Sequence, residues 1–292
     1  MKTLDDFFPT TRGQEIHIPD AMPSPDCHIQ FCDDVYDTNA IHRDKERAKS
    51  LGFPNTPIAG TYLVSKAVFQ ARKLIRAQYN PQGIREIING GDINFSLPAF
   101  PEEPLTWVMQ KGKDIGTGVI DIKLLRNTEL LLRGRAIIAP HYLGEQATSA
   151  PEAIGDLVYA TCFDISEEKK QRLKAVAGND IDNSEYCALT PSALLRLMSD
   201  LNVRHGEERQ GLNKQMSYCV GTYHVGDRLR AEVYHVKDSE RELRKINRWR
   251  FDFVVILKDE KTNASIVFSR NTCLTDGWLN VRSLNPERTR VV

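Results

Sequence analysis

The sequence lacks a charge of one sign: Lys plus Arg and Asp plus Glu each total 39, for a formal net charge of zero. That excludes a global basic field for nucleic acid, and no acidic tail is present. The basic run RELRKINRWR, from Arg241 to Arg250, is local. It reads better as a solvated strand edge or loop than as a polyanion site, with a patch for a phosphorylated carrier as the functional alternative. None of the six cysteines, Cys27, Cys32, Cys162, Cys187, Cys219 and Cys273, stands in a CxxC pair or at zinc spacing from a histidine. Free thiols in a reducing compartment are the simplest reading. The first residues, MKTLDDFFPTTRGQ, lack the apolar core of a secretory leader, and no apolar run approaches membrane-spanning length. The expectation is a soluble, cytoplasmic protein that binds neither nucleic acid nor membrane.

What is present is an ordinary globular composition. The 292 residues are 41% hydrophobic and 27% charged, which suits two domains of common size or one large one. The strongest helix candidate follows Ile58. Val64, Ala67, Val68, Ala71, Leu74 and Ile75 recur at spacings of three and four, with Lys66, Gln70 and Lys73 between them. The preceding PNTP, Pro54 to Pro57, stops whatever comes before. Strands are expected at Ile84 to Asn89, with GGD at Gly90 to Asp92 a bend. Further strands are expected at Leu105 to Met109, Val119 to Leu125 and Leu130 to Ala139. One long helix and then antiparallel strands is an α+β order, not an alternating βαβ one.

The polar, small-residue stretch from His141 to Asp156 reads as a linker. After it the order repeats. A charged helix opens at Ser166 and runs from Ile165 to Val176, and an apolar-faced helix follows over Thr190 to Val203. Strands are then expected at Tyr218 to Tyr223, Leu229 to Val236, Trp249 to Leu257 and Ser265 to Leu274. PAFPEEPLTWVMQK in the first half parallels YHVGDRLRAEVYHV in the second, and LLRNTELLLRGRAII parallels ILKDEKTNASIVFSR. The pattern points to duplication of one unit, giving domains over 1–145 and 156–292.

The chemically informative stretch is DDVYDTNAIHRDKERAKSLGFPNTPIAGTYL, Asp33 to Leu63. Asp37 and His42 lie five residues apart, which is not a one-face helical spacing. A turn suits Asp-Thr-Asn, whose side chains bond nearby backbone groups. The long helix starts soon after, so its first N–H groups are unpaired. A carboxylate and an imidazole can move protons to and from water, and a helix N-terminus can stabilise an oxyanion.

This stretch resembles the MaoC-like (R)-specific enoyl-CoA hydratase family. Its motif runs Gly-Asp-x-Asn-Pro-[Ile/Leu]-His-x-[Asp/Glu], then a short helix with Ala, then Gly-Phe and a helix start that often reads Ile-Ala-His-Gly. Here the matching residues are Asp37, Asn39, Ile41, His42, Asp44, Ala48, Gly52-Phe53 and Ile58-Ala59-Gly60. The resemblance implies two tandem hotdog domains, each a long helix wrapped by an antiparallel sheet. It implies reversible addition of water to a 2-enoyl thioester of coenzyme A or an acyl carrier protein. It requires no metal or redox cofactor, because the thioester acidifies the α-carbon. Asp37 and His42 would be the acid and base, Asn39 would shape the turn or touch the water, and Gly60 would sit at the helix end that receives the carbonyl.

Tyr36 replaces the usual Gly, and Ala40 the usual Pro. At the helix start His-Gly is absent. Aligned without a gap, Gly60 takes the histidine position and Thr61 the glycine position; with one inserted residue, Gly60 keeps the glycine role. This change is consistent with a substrate other than a simple fatty acyl thioester. AGNDIDNSEY, Ala177 to Tyr186, keeps an acidic turn without a histidine and reads as a decayed second motif. Asp33 and Asp34 read as solvated or capping residues, His224 and His235 as surface or core histidines, and His17 and His28 as residues without a role. A specialised dehydratase or cyclase on a polyketide-like substrate and a non-catalytic acyl-binding protein are the competing functions. A monomer and a homodimer both fit a double hotdog.

Overall fold

A computed structural model of the chain describes residues 13–35, 37, 39–76, 90–112, 118–138, 155–164, 166–169, 171–172, 210–219 and 226–275. The first described element, β1 (Glu15–Ala21), is a strand unforeseen in the sequence, and its Pro19 argues against one. It is tolerated because β1 is the outermost strand of the sheet. Ser24 then caps α1 (Pro25–Asp34), its hydroxyl accepting from the Cys27 N–H, with Pro25 at the first helical position. A 3-10 turn, Ala40–His42, leads to α2 (Lys45–Ser50). Asp44 caps α2 by accepting from the N–H groups of Glu46 and Arg47 at 2.9 and 3.0 Å. Gly52, at φ +84°, ends it: its N–H donates to Lys49 O, and that of Phe53 to Ala48 O. The long helix α3 (Gly60–Arg76) follows.

The remaining elements are strands: β2 (Gly90–Phe95), β3 (Pro104–Lys111), β4 (Gly118–Arg126), β5 (Glu129–Ile138), β6 (Gly155–Asp164), β7 (Gln210–Cys219), β8 (Arg228–Val236), β9 (Arg241–Leu243), β10 (Arg248–Asp259) and β11 (Ser265–Thr275). They form one sheet in the order β1-β3-β4-β5-β2-β7-β11-β10-β8-β6, with β9 paired to β10. Setting β9 aside, the first half reads first-third-fourth-fifth-second strand. The second half reads the same in reverse, and the two second strands, β2 and β7, pair antiparallel at the centre. The segments that are parallel in sequence occupy equivalent places: β3 matches β8, and the β4–β5 hairpin matches β10–β11. This is a double hotdog of α+β class, with α3 as the wrapped helix of the first half.

Alternation in β3 sends Leu105, Trp107 and Met109 into the core, where they meet Leu63, Ala67 and Ala71 of α3 together with Ile122, Leu124 and Leu131. Asp20 of β1 ties the helix flank to the sheet. Its Oδ2 accepts from Trp107 Nε1 at 3.0 Å and Gln70 Nε2 at 3.2 Å, and lies 3.7 Å from Lys66 Nζ. Gln70, expected on a polar face, is therefore buried.

Two expectations are corrected. Gly90, Gly91 and Asp92 form no bend. They are paired strand residues, facing Ile137, Ala136 and Arg135 on one side and Tyr218, Ser217 and Met216 on the other. The linker stretch gives way at Gly155 to β6, so a strand precedes the Ser166 helix. The RELRKINRWR run, expected as a solvated strand edge or loop, is indeed β9, an exposed 3-10 turn and the start of β10, a hairpin at the sheet margin. Ser166 does cap its helix, accepting from the Lys169 N–H at 3.2 Å. Residues 84–89, the helix over 190–203, AGNDIDNSEY and His224 lie outside the described residues. Among the described residues no helix is long and apolar enough to cross a membrane, and no cluster of three or more His, Cys, Asp or Glu could hold a metal.

Candidate active site

The DTNAIH stretch is a turn because its own side chains close it. Asp37 Oδ1 accepts from the Asn39 N–H at 3.1 Å, and Asn39 Oδ1 accepts from the Ile41 N–H at 3.3 Å, capping the 3-10 turn. The His42 N–H donates to Asn39 O at 3.1 Å. Asn39 thus shapes the turn.

The Asp37 backbone is held from two sides. Its N–H donates to Cys32 O at 2.8 Å, at the end of α1. Its carbonyl accepts from Arg43 Nε and Nη2 at 3.1 and 3.0 Å. The same Arg43 also donates to Asp33 Oδ1 at 2.6 Å. With the backbone fixed, the Asp37 carboxylate is fully buried and its Oδ2 lies 3.8 Å from His42 Nε2. That Oδ2 has no hydrogen-bond partner among the described residues.

His42 is oriented from its other side. Its Nδ1 lies 2.7 Å from Pro57 O. A carbonyl oxygen only accepts, so Nδ1 carries the proton, and in the neutral ring the lone pair is on Nε2, facing Asp37. Pro57 is three residues before α3, so the imidazole is fastened to the approach to that helix. The first amides of α3, those of Gly60 and Thr61, have no intrahelical acceptor by position. Gly60 lies under β2: a Cβ built on it would stand 3.2 Å from Phe95 Cζ. Thr61 is fully buried, and its Oγ1 has no partner among the described residues.

Two residues carry more than the sequence suggested. His28, set aside as having no role, is buried beside the pair: its ring centroid is 5.9 Å from that of His42, edge to face. Its Nε2 accepts from the Ala59 N–H at 2.9 Å. Burial, and then the charges of His42 and Arg43, lower its pKa to about 3. Asp34 is neither solvated nor a cap. It is buried and ion-paired to Arg172 of the second half, whose Nε meets both carboxylate oxygens at 2.9 Å and whose Nη2 meets Oδ1 at 2.7 Å. The one signal for His28 was its place three residues before Phe31 on what is now seen to be a helix facing the site. Burial pushes the nearby Cys32 thiol up, so it is no nucleophile at neutral pH.

The fold is that of a class, the double hotdog proteins. A conserved hypothetical protein of Mycobacterium tuberculosis with a double hotdog fold superposes with a TM-score of 0.65 at 12% identity, over 91% of this chain and 97% of that one. A putative MaoC domain dehydratase of Chloroflexus aurantiacus gives 0.61 at 12%, over 91% and 95%. A putative oleoyl thioesterase of Lactobacillus plantarum gives 0.57 at 8%, over 91% and 97%. No family profile matches the sequence, and no curated protein sequence does.

Proposed function

We propose that the chain is a hydro-lyase, adding water to a 2-enoyl thioester or removing it from a 3-hydroxyacyl thioester. The observation that carries this reading is the Asp37–His42 pair: a buried carboxylate oxygen without another partner among the described residues, 3.8 Å from an imidazole nitrogen, next to the start of α3. Two such groups can hold one water between them. In hydration, Nε2 of His42 and Oδ2 of Asp37 draw a proton from that water as its oxygen bonds to C3. The C2=C3 bond becomes single, and the same pair returns the proton to C2. Negative charge that gathers on the thioester oxygen meets the Gly60 and Thr61 amides at the positive end of α3. Atoms balance with no other reactant.

In this reading the half over 1–145 does the chemistry. The half over 156–292, whose AGNDIDNSEY has no histidine, supports it. The thioester is carried by coenzyme A or an acyl carrier protein. Phe95 against Gly60 favours a specialised acyl group over a straight fatty chain, because the ring occupies space at the helix start.

The test is incubation with enoyl and 3-hydroxyacyl thioesters, reading a mass change of one water beside the release of free thiol. Gain or loss of water with the thioester intact is the expected result. Thiol release alone would make the chain a thioesterase, and binding without either would make it an acyl carrier or scaffold. Asp37→Asn and His42→Ala should each lower turnover by about 100-fold or more while leaving the thermal midpoint within a few degrees. Full activity in either variant would sink the assignment.

A further inference from the structure

We propose that His28 is a positioning residue of the Asp37/His42 site, a neutral imidazole that fixes residues 57–59 and so aims both His42 and the first amides of α3. The functional half of this proposal rests on the hydro-lyase reading; the structural half does not.

Three consecutive residues leading into α3 are each held by a different element. Pro57 O accepts from His42 Nδ1 at 2.7 Å, in the 3-10 turn. The Ile58 N–H donates to Ala99 O at 2.8 Å, after β2. The Ala59 N–H donates to His28 Nε2 at 2.9 Å, on α1. The two histidines grip one short segment with opposite polarity, one donating and one accepting. Losing the His28 grip frees the segment that orients His42.

The grip needs a neutral ring, because an imidazolium has no acceptor. The surroundings enforce this. His28 is 1% exposed, and the titratable groups around it are His42 and Arg43 from the turn, Cys32 on α1 and Tyr62 on α3. Two of these are cationic or can become so. Its ring is also walled by Tyr62, with centroids 6.2 Å apart. By taking the Ala59 N–H, His28 leaves the Gly60 and Thr61 amides as those facing a substrate oxygen. It forms no hydrogen bond with Asp37 or His42, so it acts through the segment and not on the reacting atoms. The helix start lacks the histidine of the hydratase pattern, and an imidazole from α1 stands against it instead.

The test compares His28→Gln with His28→Leu. The Gln carboxamide oxygen can replace Nε2 as an acceptor, whereas Leu fills the volume and accepts nothing. With a thioester that the parent protein turns over, His28→Leu should lose ~10- to 100-fold in kcat with KM changed less than ~3-fold, and His28→Gln should keep kcat within ~5-fold. The second readout is independent of turnover: the Nδ1–H proton of His42, followed by ¹⁵N-histidine NMR. It should be protected in the parent protein and in His28→Gln, and exchange rapidly in His28→Leu. Should His28→Leu not fold, His28→Met takes its place. An unchanged Nδ1–H signal in the apolar variant would overturn the proposal, as would equal kcat losses in both variants with that signal intact. If the parent protein turns over no thioester, the hydro-lyase reading falls while the NMR comparison still decides the role of His28.

Discussion

At the scale of single residues, the site is a set of mutual constraints, and the constraint with the clearest pH signature is His28. Its pKa is about 3 when folded, against an ordinary value near 6.5, with burial the main cause. Between those values the unfolded chain binds a proton that the folded chain refuses. Stability is therefore fully present above about pH 6.5 and falls as the pH drops toward 3, by up to ~1.4 kcal/mol per pH unit. Urea unfolding midpoints at pH 7, 6, 5 and 4 should fall less steeply for His28→Gln than for the parent protein; parallel slopes would contradict this. Asp44 offers a simpler case. Its carboxylate caps α2 with two backbone donors, so Asp44→Ala should cost ~1 kcal/mol, read from chemical denaturation. The motif residues were legible in the sequence because each is local: Asp37, Asn39, His42 and Asp44 bond within a few positions of themselves. Their orientation was not legible. Pro57, which fixes the tautomer of His42, is fifteen residues away, and His28 reaches across thirty-one.

At the scale of elements, the same divide holds. The long helix and the strands β3, β4, β8, β10 and β11 were legible because a buried face imposes a period on the sequence. β1 and α1 were not, because an edge strand with a proline and a ten-residue helix rich in Asp, His and Cys carry little period. Yet α1 delivers His28, Cys32 O and Asp34. Gly52 shows what one backbone angle contributes to this assembly. At φ +84° it turns the chain from α2 toward Pro57, in a region where a Cβ costs ~1 to 2 kcal/mol. Gly52→Ala meets no steric neighbour within 4 Å, so its loss of thermal stability should come from the backbone alone. A destabilisation below ~0.5 kcal/mol would mean that the turn relaxes freely.

At the scale of the molecule, the two halves meet, among the described residues, at the centre of the sheet and at an ion pair. The sheet runs through β2 and β7 without a break, and Arg172 of the second half grips Asp34 on α1. Asp34 is three residues from Asp37, so the second half bears on the DTNAIH turn. Arg172 is itself partly exposed, so solvent screens the pair, but removing it leaves the buried Asp34 carboxylate without its guanidinium donors. Arg172→Met should therefore destabilise the protein by ~1 to 2 kcal/mol and lower kcat at the same time, whereas Asp34→Asn with Arg172→Met should recover part of the stability. Denaturation of the single and double variants measures this directly, and additive losses would show that the pair is not coupled.

The continuity of the sheet also has an evolutionary consequence. Two separate subunits built on this plan would be encoded by one gene, and each substitution would appear twice, once on either side of the axis. Joined in one chain, the copies are free to diverge. On the reading of AGNDIDNSEY as a decayed second motif, a histidine was lost there without touching DTNAIH. An arginine can then be recruited on one side alone to serve a carboxylate on the other. Fusion lets a symmetric partnership become a division of labour, in which a pair such as Arg172–Asp34 can be kept without a counterpart across the axis.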